Sequence, residues 1–310
     1  MDEFGLIATL TAGLPKPDYV RVGLGDDAAV VDVSHPQVVA CTDMLVEGRH
    51  FRRAWSSAED IGHRVAAANL ADIVAMGAQP RALLVSIAIP AETETGWAAD
   101  LIDGIQAEAD LVGAAVVGGD TNSTEGPIVL CATALGDLEG RAPVQRSGAS
   151  PGDQVALAGR QGWAAAGLTV LSRGFRSPRL LVDALRRPEV PYEAGIRAGR
   201  AGATAMIDIS DGLLADLGHI ADASGVAINL ETDLLPVDEP LRDTAIAFTI
   251  DPVSWVLTGG EDHSLAATFP RDMDLPEGFR QIGHVVAGTP CVTVDGIEPK
   301  GARGWLHFGP

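Results

Sequence analysis

The sequence predicts an α/β (α+β) protein of two domains, and three observations carry that prediction. The chain has 310 residues, about twice an ordinary domain. Hydrophobic residues make up 46% and charged residues 21%, enough apolar material for a core and too much for wholesale disorder. Short β-branched runs alternate with helix-like stretches on both sides of a polar, turn-rich segment, Arg141 to Asp153. We divide the chain there, into 1–140 and 141–310.

Val38 to Thr42 is β-branched and apolar, a strand. Ser57 with an acid three residues on, Asp60, reads as a helix N-cap. The helix runs to about Met76, with Gly77 as its stop. Leu83 to Ile89, between Pro80 and Pro90, is apolar apart from Ser86 and predicts a buried strand. Glu94 to Leu111 has helical composition. Ala115 to Val117 is a strand running into Gly118-Gly119-Asp120, and Ile128 to Leu135 is another. In the second half Val155 to Leu157 is a strand and Gly162 to Ser172 a helix. Ala205 to Ile209 is a strand that breaks at Ser210-Asp211-Gly212 into a helix ending near Gly225, and Val226 to Leu230 is a strand.

The formal net charge is −20, from 42 acidic and 22 basic residues. That makes a nucleic-acid backbone or an anionic membrane an unsuitable partner. The longest charge-free stretch, Gln281 to Val294, contains a His, two Gly and a Pro, so no span is expected. The acidic start, Met1-Asp2-Glu3-Phe4, is not a secretory n-region. Cys41, Cys131 and Cys291 are far apart and read as reduced thiols, so a cytoplasmic protein is expected. The basic residues include only two lysines, Lys16 and Lys300.

The acids recur where strands end, beside glycines. Gly23-Leu24-Gly25-Asp26-Asp27-Ala28 matches a dinucleotide fingerprint weakly. Two carboxylates beside a pyrophosphate need metal between them, and a surface turn is the plain alternative. Thr42-Asp43 ends a strand, as turn-forming residues do. Asp72 lies in a helix apolar almost all round and needs a partner there, a cation or an arginine. Asp120 follows paired glycines that let a ligand approach the backbone. Asp208 and Asp211 bracket a strand-to-helix turn. A cap by Ser210 or Asp211 explains one residue there but not Asp208. Gly259-Gly260-Glu261-Asp262 is a further glycine pair with acids.

Together these are hard oxygen ligands with few His and no clustered Cys, a set suited to Mg²⁺ completed by phosphates. The chain has no GxxxxGK[ST], no protein-kinase HRD or DFG set, no GxSxG, no HExxH and no zinc spacing. Arg146, in Gln145-Arg146-Ser147-Gly148-Ala149, is a candidate phosphate clamp, or else a boundary ion pair.

These segments are collinear with a known pattern. Gly25-Asp26-Asp27-Ala28, Thr42-Asp43 through Glu47-Gly48-Arg49-His50-Phe51, Asn69 to Ala78, Gly118-Gly119-Asp120-Thr121, Arg146-Ser147-Gly148-Ala149, Asp208-Ile209-Ser210-Asp211-Gly212-Leu213 and Thr258-Gly259-Gly260-Glu261-Asp262 closely resemble the thiamine-monophosphate kinase family. The Gly-Asp-Asp, Gly-Gly-Asp and Asp-Ile-Ser-Asp-Gly segments also resemble aminoimidazole ribonucleotide synthetase, selenophosphate synthetase and a hydrogenase-maturation dehydratase. The resemblance implies a two-domain aminoimidazole ribonucleotide synthetase-like fold, a homodimer whose N-terminal strands form a shared barrel, and ATP-dependent phosphorylation of thiamine monophosphate to thiamine diphosphate. Residues 1–140 would bind ATP and Mg²⁺, and 141–310 would complete the active site. Asp27, Thr42, Asp43, Asp72, Asp120, Asp208 and Asp211 would hold several Mg²⁺ ions. Gly119, Asp120, Arg146 and Ser210 would contact ATP, and His50, Glu261 and Trp305 the thiamine substrate.

The chain departs from the family pattern at Cys41, often a hydroxyl residue, at Ile102, often aromatic, and at His263-Ser264, usually Tyr-Glu. A phosphate monoester acceptor is already an oxyanion at pH 7, so direct in-line transfer needs no general base. Two rivals are another ATP-driven reaction of the same superfamily, activating an amide or carbonyl oxygen, and a non-catalytic divalent-cation-binding module. Of the first, selenophosphate synthesis would want a reactive cysteine or selenocysteine in a glycine-rich N-terminal segment and the dehydratase a C-terminal cysteine tail where this sequence reads Gly304-Trp305-Leu306-His307-Phe308-Gly309-Pro310, so neither version is expected.

Overall fold

The structure, a computed structural model, describes residues 20–22, 29–32 and 37–306. The expected ligand Asp27 lies outside the described residues. The first half runs β1 (Val20–Val22), β2 (Ala29–Asp32), β3 (Gln37–Val46), α1 (Ala58–Ala75), β4 (Gln79–Pro90), α2 (Thr95–Asp110), β5 (Ala115–Thr124) and β6 (Val129–Asp137). Its strands form one sheet in the order β1-β2-β3-β6-β4-β5, antiparallel except for β4 with β5.

α1 starts where Ser57 predicts. Ser57 Oγ accepts the Asp60 N–H at 3.1 Å, and the Asp60 carboxylate accepts the Ser57 N–H at 3.0 Å. The helix is buried along nearly its whole length, as its apolar circumference requires. It crosses α2 at two glycines. A Cβ on Gly104 would stand 2.1 Å from the Glu59 carbonyl oxygen, and one on Gly62 2.1 Å from that of Leu101.

The expectation for Leu83 to Ile89 is corrected. β4 is buried on one face only, with Leu84 41% exposed beside buried Leu83 and Val85. The helices cover a single face of a largely antiparallel sheet, so β4 alternates although its sequence is apolar on both sides. β6 alternates likewise, with Leu130, Ala132 and Ala134 turned to the core.

The second half runs β7 (Gln154–Ala158), α3 (Trp163–Ser172), α4 (Arg179–Arg186), α5 (Tyr192–Ala201), β8 (Ala205–Ile209), α6 (Leu213–Ser224), β9 (Ala227–Leu230), α7 (Glu239–Phe248), α8 (Pro252–Thr258), β10 (Ser264–Phe269), β11 (Phe279–Val286) and β12 (Cys291–Val294). The sheet order is β12-β9-β11-β7-β10-β8, antiparallel except for β12 with β9.

Strand alternation joins the halves. Met206, Leu265, Ala267 and Phe269 belong to one core with Val74 and Met76 of the first half. Ala205, Ile207, Ile209 and Ala266 belong to a second core with α6. One face of the second sheet therefore packs on α1. Asp208, on the Met206 side of β8, faces that junction. Among the described residues no helix is long and apolar enough to cross a membrane.

Candidate active site

A cleft of ≈ 220 Å³ opens at this junction, lined by Asp43, Met44, Leu45, His50, Arg64, Ala68, Ser210, Asp211, Glu261 and His263. Buried Asn69 of α1 fixes its first wall. Its Nδ2 donates to the Val65 carbonyl at 3.0 Å, and its Oδ1 accepts the Asp43 main-chain N–H at 3.0 Å. The chain then makes a tight turn, in which the N–H groups of Arg49 and His50 both donate to the Val46 carbonyl. His50 Nδ1 accepts the Val46 N–H at 2.9 Å, which places the ring proton on Nε2 when the ring is neutral.

The second wall is the loop after β8. Gly212 occupies the N-cap of α6 in place of the Ser210 or Asp211 cap that the sequence allows. Asp216 ties the loop down, its Oδ2 accepting from the Asp211 N–H at 3.1 Å and the Gly212 N–H at 3.0 Å. Gly260 packs on this loop so closely that a Cβ would stand 2.0 Å from the Ser210 carbonyl oxygen. The next residues bond back to it, the Glu261 N–H to the Ser210 carbonyl at 2.9 Å and the His263 N–H to that of Ile209 at 3.1 Å. Glu261 and His263 have φ of +70° and +50°, left-handed values that cost strain in non-glycine residues. Between them Asp262 turns away and accepts the N–H groups of Gly162 and Ala164 at the start of α3, at 2.7 and 2.8 Å.

Long-range pairs set the charge. Arg64 of α1 donates to Glu261 and, at 3.5 Å, to the Leu185 carbonyl. Burial opposes ionisation of Glu261, but Arg64 outweighs it and holds the carboxyl below the usual range. Burial likewise disfavours the His263 cation, yet its 2.9 Å bond to Asp208 raises the imidazole above its ordinary value. Asp216 is pushed well up by burial and then by the charges of Asp208 and Asp211. Burial pushes Asp262 up to about 7, against its two N–H bonds. Cys41, whose thiol donates to the Asn69 carbonyl at 3.2 Å, is raised by burial and then by Asp72 and Asp43.

The fold gathers only part of the set expected from sequence. Asp43, His50, Ser210, Asp211 and Glu261 line the cleft, with Asp208 buried behind His263. Trp305 is not among the cleft-lining residues but is held against the Asp211 loop, its main-chain N–H donating to the Asp211 carbonyl at 2.9 Å, with Arg49 5.8 Å over its ring. Asp72 and Asp43 flank the Cys41 thiol. Thr42 stands apart, since neighbours on a strand face opposite ways. Its hydroxyl donates to the Ala132 carbonyl at 2.8 Å and accepts from Thr133 at 3.0 Å. Gly119 and Asp120 sit on the exposed edge strand β5, three strand spacings from β3, roughly 14 Å at ~4.8 Å each. Arg146 stands on the turn Arg146–Gly148 beside His219 of α6 and is not among the cleft-lining residues. Ile102 is exposed on α2.

Among the described residues no three His, Cys, Asp or Glu groups converge into a ready cage for a metal ion. The oxygen donors of the cleft are the carboxylates of Asp43, Asp211 and Glu261 and the Ser210 hydroxyl, beside the imidazoles of His50 and His263. That chemistry fits Mg²⁺, which takes one or two carboxylates per ion and fills its shell with phosphate and water. The soft donor nearby, Cys41, is held as a neutral thiol and is a poor ligand for it.

Comparison with known proteins decides the family. Residues 25–138 match the N-terminal domain of AIR synthase related proteins, and residues 150–293 the C-terminal domain. The chain is 46% identical over 310 residues to a thiamine-monophosphate kinase of Mycobacterium tuberculosis, covering 100% of this chain and 92% of the relative. The chain belongs to the thiamine-monophosphate kinase family. A family member from Corynebacterium glutamicum is 40% identical over 294 residues, 92% of this chain and 88% of its own length. Among solved structures, AaThiL complexed with AMPPCP and TMP superposes with a TM-score of 0.90 at 31% identity, covering 99% of this chain and 97% of that one. A HypE-HypF complex, at 20% identity and a TM-score of 0.73, shares the fold.

Within this thiamine-monophosphate kinase fold, the sequence reading missed Arg64, Asp216 and the role of Asp262. Asp216 lies one helical turn inside α6, a position from which a carboxylate can reach back to the loop, and that spacing was the available signal. Arg64 gave none, because its partner is 197 residues away.

Proposed function

We propose that this chain transfers the γ-phosphoryl group of ATP to thiamine monophosphate, giving thiamine diphosphate and ADP. The observation that carries the proposal is the cleft itself. It joins the His50 turn of the first half to Ser210, Asp211 and Glu261 of the second, within a full-length likeness to a relative solved with an ATP analogue and TMP.

The reacting groups of both substrates are phosphate anions, so the obstacle is charge. Asp43, Asp72, Asp208 and Asp211, with Asp27, would hold Mg²⁺ ions. When bound, these ions supply charge neutralisation and alignment of the two phosphates. Arg64 adds fixed positive charge to the wall, and Ser210 offers a hydroxyl donor. Glu261, kept ionised by Arg64, and His50, with its Nε2 proton, are the groups available to orient the organic part of the acceptor. Trp305 supplies an aromatic face at the rim. The acceptor phosphate attacks as an oxyanion, so no side chain is assigned as general base.

The outer face of the first sheet carries exposed Met44 and Leu84 beside Thr42 and Thr133. We assign this face to a second copy of the chain, so that Thr42 and Asp120 act in a dimer. Steady-state ADP release tests the activity: it should depend on thiamine monophosphate, on ATP and on Mg²⁺ together. ADP release that ignores thiamine monophosphate would refute the acceptor.

A further inference from the structure

His263 belongs to the cleft wall, yet its Nδ1 stands 2.9 Å from Asp208 Oδ2, and both side chains are buried. An ionised carboxylate only accepts, so the imidazole is the donor in this bond. The backbone enforces the contact. The His263 N–H is bonded to the Ile209 carbonyl at 3.1 Å, and Leu265, two residues on, pairs with Asp208 across β10 and β8. The left-handed φ of His263 is the strained link between that pairing and the Glu261 side chain. A buried, strained residue holding one oxygen of a carboxylate is an orienting device.

We propose that His263 is a positioning residue. It donates Nδ1–H to Asp208 Oδ2, fixes the rotamer of that carboxylate and leaves Oδ1 as the oxygen offered to a divalent cation. The inference rests on Asp208 being a cation ligand in the reading above. His263 acts through Asp208.

Mn²⁺ binding to the nucleotide-free protein, followed by electron paramagnetic resonance, tests this without turnover. His263→Phe keeps a ring of similar size and removes the donor, and it should weaken Mn²⁺ binding about 10- to 100-fold. His263→Asn, whose amide N–H can stand near the place of Nδ1, should recover most of that loss. Asp208→Asn should bind weakly, and adding His263→Phe to it should weaken binding no further. His263→Ala repeats the comparison without added bulk, so a misfolded Phe variant does not end the test. Wild-type affinity in His263→Phe and His263→Ala overturns the proposal. So does a His263→Asn protein as weak as His263→Phe, or a further tenfold loss in the double variant. If Asp208→Asn binds Mn²⁺ like wild type, the assignment of Asp208 as a ligand fails, and the inference falls with it.

Discussion

Arg64 on α1 is bonded to Glu261 in the loop before β10, a residue 197 positions further along the chain. The pair crosses the junction between the two sheets and fixes one acid of the cleft in its ionised state. Arg64 is 8% exposed at its side chain and Glu261 39%, so the pair is half-open to solvent.

Arg64→Ala should therefore cost roughly 1–3 kcal/mol of stability, less than a fully buried pair. Because Glu261 is then released, KM for thiamine monophosphate should rise more than kcat falls. Urea denaturation and a kcat/KM comparison check both parts.

Asp262 gives a pH signature. Its folded pKa of about 7 lies above the ordinary carboxyl value of 3.8, so the folded chain holds the proton more tightly than the unfolded one. Its contribution to stability is thus complete below pH 3.8 and is lost as pH rises towards 7, with a slope of at most ~1.4 kcal/mol per pH unit. Asp262→Asn should flatten that part of the stability–pH curve, measured by denaturant titration at several pH values. An unchanged slope would count against the assignment.

The Gly62–Gly104 crossing sets the spacing of α1 and α2. Gly104→Ala places a methyl carbon 2.1 Å from the Glu59 carbonyl oxygen, so the helices must part. The expected loss is about 1–3 kcal/mol, read as a lower melting temperature. Gly96→Ala, at a position with nothing near its Cβ, should be tolerated.

Asp211→Asn keeps the side chain's size and leaves its main-chain bonds to Asp216 and Trp305 in place. Stability should stay within about 0.5 kcal/mol of wild type. Turnover should fall on the order of 100-fold or more, as for loss of one electrostatic contact to a transferring phosphoryl group. A stopped assay with a melting curve separates the two effects.

Local rules made much of this legible. Ser57 and Asp60 announced α1, and its unbroken apolar circumference announced burial. The Gly-Gly-Glu-Asp and Asp-Ile-Ser-Asp-Gly segments meet because Gly260 admits no side chain against Ser210. What the sequence concealed was non-local. The one-sided burial of β4 depends on which face the helices take, and apolar residues on both sides hide that choice. Arg64 and Glu261 find each other only through the fold. The short helices α4 and α5 and the strands β10 to β12 lie in stretches whose periodicity is too brief to stand out. Thr42 and Asp43 are the instructive pair, because strand alternation turns these neighbouring side chains to opposite faces of the sheet.

The most direct measurement is a single turnover with [γ-³²P]ATP, Mg²⁺ and thiamine monophosphate, quenched in acid and resolved by chromatography. Direct transfer predicts label appearing in the terminal phosphate of thiamine diphosphate as fast as it leaves ATP, with none on the protein at any time. Label recovered as inorganic phosphate with no thiamine diphosphate, or trapped on a side chain before product appears, would contradict the account.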